Sequence, residues 1–180
     1  MFEVIIAIKT IIFVIITAGI LSFSRPFLRD PRSHGFFRFF AFEFLLLLIL
    51  LNVDHWFADP FSLRQILSWL LLLSSLFLAI HGWHLLIAMG RPKDGFENTT
   101  ALVLRGAYKY IRHPLYASLL LLAWGTFLKG PSLLSGSLAL VISAFLIAMA
   151  RVEEAENLQK FGPDYERYMK STRMFIPFLL

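Results

Sequence analysis

A chain of 180 residues with 58% hydrophobic side chains, a mean hydropathy of +0.70 and 16% charged residues holds more apolar surface than one soluble core of that length can bury. Lipid is therefore its main solvent, and long Leu, Ile and Phe runs without strict alternation exclude a β-barrel and predict an all-α polytopic membrane protein. The net charge of +5 and pI near 9.7 do not form a basic stripe on a soluble domain, so nucleic acid is not an expected partner. Zero cysteines exclude disulfides, thiolate metal sites and a Cys nucleophile.

In chain order, apolar runs over 4–23, 36–53, 66–89, 115–128 and 132–150 predict about five spans. The first is longer than a signal-peptide core and lacks a small-residue cleavage pattern, so it is expected to stay as a mature span. Lys9 is expected to snorkel to the surface. Inside the second run Phe36 to Phe40 read as an interfacial belt and Arg38 as a snorkelling cation. Glu43, costing roughly 2.5–3.5 kcal/mol at the bilayer centre, is expected to face the bundle and line a polar cavity. His81 and His84, three apart on one face of the third span, are read as packing or interfacial residues; with no third ligand in sight, no metal site is expected. The fourth run reaches only about 21 Å and must borrow from 108–114 or sit against protein. Pro114 suits its first turn, and Lys129-Gly130-Pro131-Ser132 reads as the turn of an antiparallel hairpin. The last run is expected to continue as a helix through Glu153-Glu154 to a stop near Gly162, with a short surface helix over 164–170.

Basic residues cluster on alternate connections: Arg25, Arg29, Arg32 and Arg38 at the first, Arg91, Lys93, Arg105, Lys109 and Arg112 at the third, and Arg151, Lys160, Arg167, Lys170 and Arg173 in the tail. Only Arg64 and Lys129 occupy the second and fourth, which predicts the N-terminus outside and the C-terminus cytosolic. No internal repeat is visible, and one domain is expected, with three N-terminal spans over 1–89 and a connection, hairpin and tail over 90–180.

Two polar blocks sit on the predicted cytosolic side. Arg112-His113-Pro114-Leu115-Tyr116, led in by Val103, Gly106 and Tyr108, opens the hairpin; taken alone, Arg112 and His113 suit a helix anchor at the phosphate level. Glu153-Glu154, then Phe161-Gly162, Tyr165, Tyr168 and Arg173, closes it; taken alone, the carboxylates suit a solvated turn beyond the lipid with Arg151 as partner.

Together the blocks resemble the integral-membrane methyltransferases of the isoprenylcysteine carboxyl methyltransferase and phospholipid methyltransferase group. The resemblance covers roughly the last 90 residues, starting near Gly90-Arg91-Pro92 and Phe96-Glu97-Asn98-Thr99-Thr100. It implies S-adenosyl-L-methionine as cofactor, with His113 and Tyr116 on its amino-acid portion, Val103 and Gly106 around it, and Tyr108, Pro114, Glu153, Glu154 and Tyr165 completing the site. Glu154 is preferred to Glu153 as the inward carboxylate. A carboxylate suits the cofactor because it accepts from amino or hydroxyl groups and offsets the sulfonium charge.

The resemblance further implies methyl transfer at the cytosolic membrane face to a hydrophobic or prenylated substrate. Carboxyl methylation ranks first, because the planar fork of Arg173, or second to it Arg112, suits a substrate carboxylate. Phospholipid N-methylation and small-thiol S-methylation follow. A non-enzymatic membrane scaffold and an NADPH-dependent sterol reductase, whose cofactor region also has an Arg-His-Pro segment, are the readings from other classes. The chain is shorter than animal members of the group and lacks their extra N-terminal spans, which leaves the acceptor open, and no Gly-x-Gly-x-x-Gly follows a strand to support a soluble Rossmann mechanism.

Overall fold

The structure, a computed structural model, describes residues 2–91, 93 and 99–177. Pro92 and the Phe96, Glu97 and Asn98 part of the resemblance lie outside the described residues. Among those described, the chain forms six α-helices: α1 (Phe2–Ser24), α2 (His34–Asn52), α3 (Leu63–Gly90), α4 (Pro114–Phe127), α5 (Leu133–Phe161) and α6 (Pro163–Ser171). Short 3-10 turns occupy Val53–His55 and Gly106–Lys109. The helices α1, α2, α3 and α5 are long and apolar enough to cross a membrane, and α4 is a shorter apolar helix of 14 residues. The all-α polytopic membrane class predicted from composition is what the chain adopts.

The helices divide between two compact units, Met1–Leu70 with Ala123–Val152, and Leu71–Leu122 with Glu153–Leu180. In the first unit α1 packs on α2 and exposes Val4, Ile8, Ile11 and Ile15, a face whose stabilising solvent is hydrocarbon. Ala41, Leu45 and Leu48 of α2 recur at helical spacing and are buried, as are Leu138, Ala139, Ile142, Leu146 and Met149 of α5. Phe145 of α5 stacks on Phe40 at 5.4 Å between centroids and lies 6.3 Å from Phe37, so part of the expected interfacial belt turns inward.

Of the two charges expected to snorkel, Arg38 does something else. Arg38 is 2% exposed, its guanidinium lying over the rings of Phe23 at 4.5 Å and Phe27 at 5.1 Å, because stacking on aromatic faces is open to it before it reaches the surface. Lys9 pairs with Asp54 at 2.5 Å. Glu43 is half-buried and accepts a 2.8 Å hydrogen bond from the Thr17 hydroxyl of α1, which lowers the cost of a carboxyl group at this depth.

The turn after α4 is the most polar interior of this unit. Lys129 is wholly buried, with Nζ 3.7 Å from the Trp69 centroid and donating to Gln65 Oε1 at 2.9 Å. Gln65 donates in turn to the His55 carbonyl at 2.9 Å, and Arg64 donates to the Leu128 carbonyl at 2.7 Å and to that of Lys129. The carbonyls just past the end of α4 thus receive a cationic donor, the favourable sign beside a helix C-terminus. An ammonium here is tolerable because a ring face and an amide replace water. Replacing Lys129 by Ala removes both and leaves a cavity, so unfolding in a denaturing-detergent titration is expected to show a loss of roughly 3 kcal/mol, and Lys129→Met, which keeps the stem, a smaller one.

Candidate functional site

The second unit holds both polar blocks. Its local geometry begins at Gly106, which has φ +57°, a conformation that disfavours any Cβ; one built there would also lie 2.5 Å from His81 Nε2 and from Leu85 Cδ1. His81 of α3 thus packs against the glycine and stacks on Phe77 at 5.7 Å. Among the described residues no cluster of His, Asp and Glu forms a metal site. Beyond the 3-10 turn, Ile111 pairs with Arg173 in a parallel bridge, and the backbone bonds around it join the two segments: Arg173 N donates to the Tyr110 carbonyl at 3.0 Å, Arg112 N to that of Arg173 at 2.7 Å, and His113 N to that of Met174 at 3.1 Å. Pro114 then opens α4, where its missing N–H costs nothing and its fixed φ is already helical.

This backbone zipper delivers Arg112 and His113 to the α5 extension. Arg112 Nε donates to Glu154 Oε1 at 2.5 Å, and Nη1 donates to the Thr172 carbonyl at 2.7 Å and the Met169 carbonyl at 3.3 Å, closing the C-terminal end of α6. His113 Nε2 lies 3.2 Å from the same Glu154 oxygen, and its Nδ1 lies 3.7 Å from Glu153 Oε2. Tyr116, one helical turn along from His113, donates to Glu153 Oε2, and the two rings stack at 5.2 Å and 4°. Phe175 closes the other side of His113 at 6.1 Å.

The carboxylates are thereby distinguished. The Glu154 side chain is 9% exposed and committed to Arg112 and His113, whereas that of Glu153 is 31% exposed and lines two small clefts. These clefts, about 60 and 50 Å³, share Leu86, Thr99, Tyr108, Arg112 and Glu153 in their walls. Pro114, His113 and Tyr116 complete one; Val103, Asn157, Phe161 and Tyr165 complete the other. Each has room for about two waters. The second also shares Leu102 and Tyr168 with an open groove of about 500 Å³, a ligand-sized volume, whose remaining wall includes Lys109, Asp164, Arg167 and Thr172.

Of the residues expected at the site, Val103, Tyr108, Arg112, His113, Pro114, Tyr116, Glu153 and Tyr165 meet in these walls, Gly106 opens the turn that carries Tyr108, and Glu154 stands behind. Arg173 contributes its backbone to the zipper; its side chain is exposed and lines none of the three cavities. Sequence reasoning missed Leu86 and Asn157 and gave Phe161 and Tyr168 no place in the site. For Asn157 and Phe161 a signal existed: with Glu153 they recur every four residues, one stripe of the α5 extension. For Leu86, on an apolar face of α3, there was none.

Tyr168 donates to the Tyr108 carbonyl at 2.7 Å and Tyr165 packs edge-on to it at 5.8 Å. Burial raises the phenol pKa of Tyr108, Tyr165 and Tyr168 above its ordinary value, with Glu153 adding to the rise at Tyr108 and Glu154 at Tyr165. Above about pH 10 the unfolded chain ionises these phenols while the folded chain keeps them neutral, so the folded state binds more protons and loses stability as pH rises. Denaturation followed by tyrosinate absorbance is expected to be flat up to about pH 10 and to weaken beyond it, with a shallower alkaline limb in Tyr168→Phe.

The family model described as phospholipid methyltransferase matches residues 63–163. Among similar curated proteins, a methanethiol S-methyltransferase of Pseudomonas deceptionensis is 32% identical over 91 residues, 49% of this chain and 31% of that protein. Methanethiol S-methyltransferase 2 of Bradyrhizobium diazoefficiens is 28% identical over 154 residues, 73% of this chain and 56% of that protein. A protein-S-isoprenylcysteine O-methyltransferase of Schizosaccharomyces pombe is 34% identical over 95 residues, 52% of this chain and 38% of that protein. The chain thus spans from about a third to just over half the length of these relatives. No solved structure matches it.

Proposed function

This chain belongs to the phospholipid methyltransferase family, and from that premise we propose that it transfers a methyl group from S-adenosylmethionine to a hydrophobic acceptor at the membrane surface, a neutral thiol suiting the site best. The observation that carries the choice of acceptor is the polarity of the cleft walls. Their accessible charge is the Glu153 carboxylate, while the Arg112 guanidinium is committed to Glu154 and two carbonyls and the Arg173 side chain lies outside. Among the described residues of the two cleft walls, an acceptor carboxylate would face like charge without a free cation; a neutral thiol would not. The methanethiol S-methyltransferases among its relatives support the same reading. Carboxyl methylation, first on sequence grounds, becomes the second reading, supported by the isoprenylcysteine relative.

The cleft residues fit the cofactor chemically. When bound, S-adenosylmethionine supplies an electrophilic methyl group on a sulfonium sulfur. Glu153 and the ring faces of Tyr108 and Tyr165 suit that cation, and Thr99 and Asn157 offer hydrogen bonds. Leu86, Val103 and Phe161 keep water from the transfer, and the larger groove provides nucleoside-scale room beside them. Glu154, held by Arg112, fixes the His113 ring, on which the Tyr116 ring stacks. The contribution to rate is alignment and desolvation of the nucleophile. The first three helices serve in this proposal as the acceptor's route from the lipid, with the N-terminus outside and the site cytosolic.

Calorimetry on detergent-solubilised protein is expected to show S-adenosylhomocysteine binding that Tyr165→Ala weakens at least about tenfold, equivalent to about 1.4 kcal/mol. A labelled-methyl assay comparing a small thiol, a prenylcysteine analogue and phosphatidylethanolamine is expected to favour the thiol and give a base-stable product. Methanol released by base would identify an ester and reverse the order of the two readings. Reporter fusions are expected to place the C-terminus in the cytosol and the N-terminus outside, because 14 of the 17 Lys and Arg residues occupy the first and third connections and the tail when Arg38 is counted there; a protected C-terminal reporter would invert the orientation.

A further inference from the structure

A neutral thiol carries a proton that must leave as sulfur attacks, and among the described residues one carboxylate in the cleft walls is placed to take it. We infer that Glu153 is the proton acceptor for the nucleophile and that the Arg112–Glu154–His113 chain is the frame that holds it in place; the inference rests on the thiol reading proposed above. Of the other titratable groups described near the clefts, the Tyr108, Tyr165 and Tyr168 phenols are kept protonated by burial, and Glu154, His113 and Tyr116 are otherwise engaged. Glu154 has its Oε1 against both Arg112 Nε and His113 Nε2 and is 9% exposed. The His113 side chain is 3% exposed, its ring enclosed between Tyr116 and Phe175. Tyr116 spends its hydroxyl proton on Glu153 Oε2. Glu153 alone among these combines a carboxylate with an open side, 31% exposed and in the wall of both clefts.

Its orientation is fixed from one side only. Tyr116 and His113 Nδ1 both face Oε2, which leaves Oε1 without a side-chain hydrogen bond among the described residues, in a residue that lines both clefts. Glu153 lies on α5 while Tyr116 and His113 belong to α4 and the residue before it, so the aim of the carboxylate depends on the Arg112–Glu154 ion pair holding these segments together. Arg112, Glu154, His113 and Tyr116 are thus positioning residues, and Glu153 is the catalytic residue.

The step balances with no further reactant. The thiol S–H bond breaks, its electron pair remaining on sulfur as the new bond to the methyl carbon forms; the methyl–sulfonium bond breaks with its pair returning to the donor sulfur, leaving a neutral thioether. The proton passes to Glu153, so one cation and one carboxylate become two neutral groups. After product leaves, the open side of Glu153 returns the proton to solvent. A thiol mostly protonated near neutrality needs this acceptor, and one already ionised does not.

The test compares Glu153→Gln with wild type on phenylmethanethiol, mostly protonated at neutral pH, and benzenethiol, mostly ionised. Glu153→Gln keeps the size of the side chain and an acceptor for Tyr116 but takes no proton. It is expected to lower kcat/KM for phenylmethanethiol by roughly 10²–10⁴-fold, the usual range for a lost general base, and to lower it far less for benzenethiol. The phenylmethanethiol rate in the variant is expected to climb with pH where wild type is level, and Glu153→Asp to restore part of it. Thermal unfolding of the variant in detergent is expected to match wild type, which establishes that it is folded, while calorimetry with S-adenosylhomocysteine reads separately what Glu153 contributes to the cofactor site. Equal losses on both thiols with binding intact would overturn the inference and leave the thiol reading standing. A wild type that binds S-adenosylhomocysteine and methylates neither thiol would remove both. Lost binding in Glu153→Gln with retained binding and a selective phenylmethanethiol defect in Glu153→Asp would still support the inference; a Glu153→Asp that treats the two thiols alike would overturn it.

Discussion

The buried contact of Arg112 with Glu154 is the interaction on which the rest of the site depends. Two charges are removed from most of their water there, which is costly unless every remaining donor and acceptor is satisfied. The structure meets that condition: the guanidinium also reaches the Met169 and Thr172 carbonyls, and the same Glu154 oxygen faces His113. One side chain therefore joins the residue before α4's first turn, the extension of α5 and the end of α6. Removing either partner would strand a buried charge, a larger loss than the net value of the pair.

That contact explains why two adjacent glutamates have different roles. Successive helical residues point about 100° apart, so when Glu154 turns to Arg112 and His113, Glu153 is carried round to the cleft. Its stripe continues through Asn157 and Phe161, while Gly162, at φ +54°, ends the helix and lets α6 bring Tyr165 and Tyr168 to the walls. A polar site on a membrane helix is built here by extending the helix past its apolar part, where backbone and carboxylates can be satisfied without lipid contact.

The other unit uses the same chemistry for assembly. Lys129 and Arg38 are buried cations placed over aromatic rings, and Lys129 adds a hydrogen bond to Gln65. Neither was legible as a buried residue, because a lone Lys or Arg near the end of an apolar run has the same sequence signature whether it snorkels or folds inward. Trp69, on α3, and Phe23, on α1, decide the matter, and both are distant in sequence from the cations they cover.

The sequence alone determined what depends on composition and local spacing. Apolar runs long enough for the hydrocarbon set the all-α membrane class, Pro114 the start of α4, Gly162 the break before α6, and the paired Arg-His-Pro and Glu-Glu blocks the location of the candidate site. Tertiary structure decided what depends on direction. It turned Glu154 rather than Glu153 to the ion pair, took Arg112 out of free solution, left the Arg173 side chain outside the clefts and brought Leu86 from α3 into their walls. A helical spacing says which residues share a face; which way that face looks is settled by the partners that satisfy its charges, and those partners lie some 40 to 60 residues away in the chain.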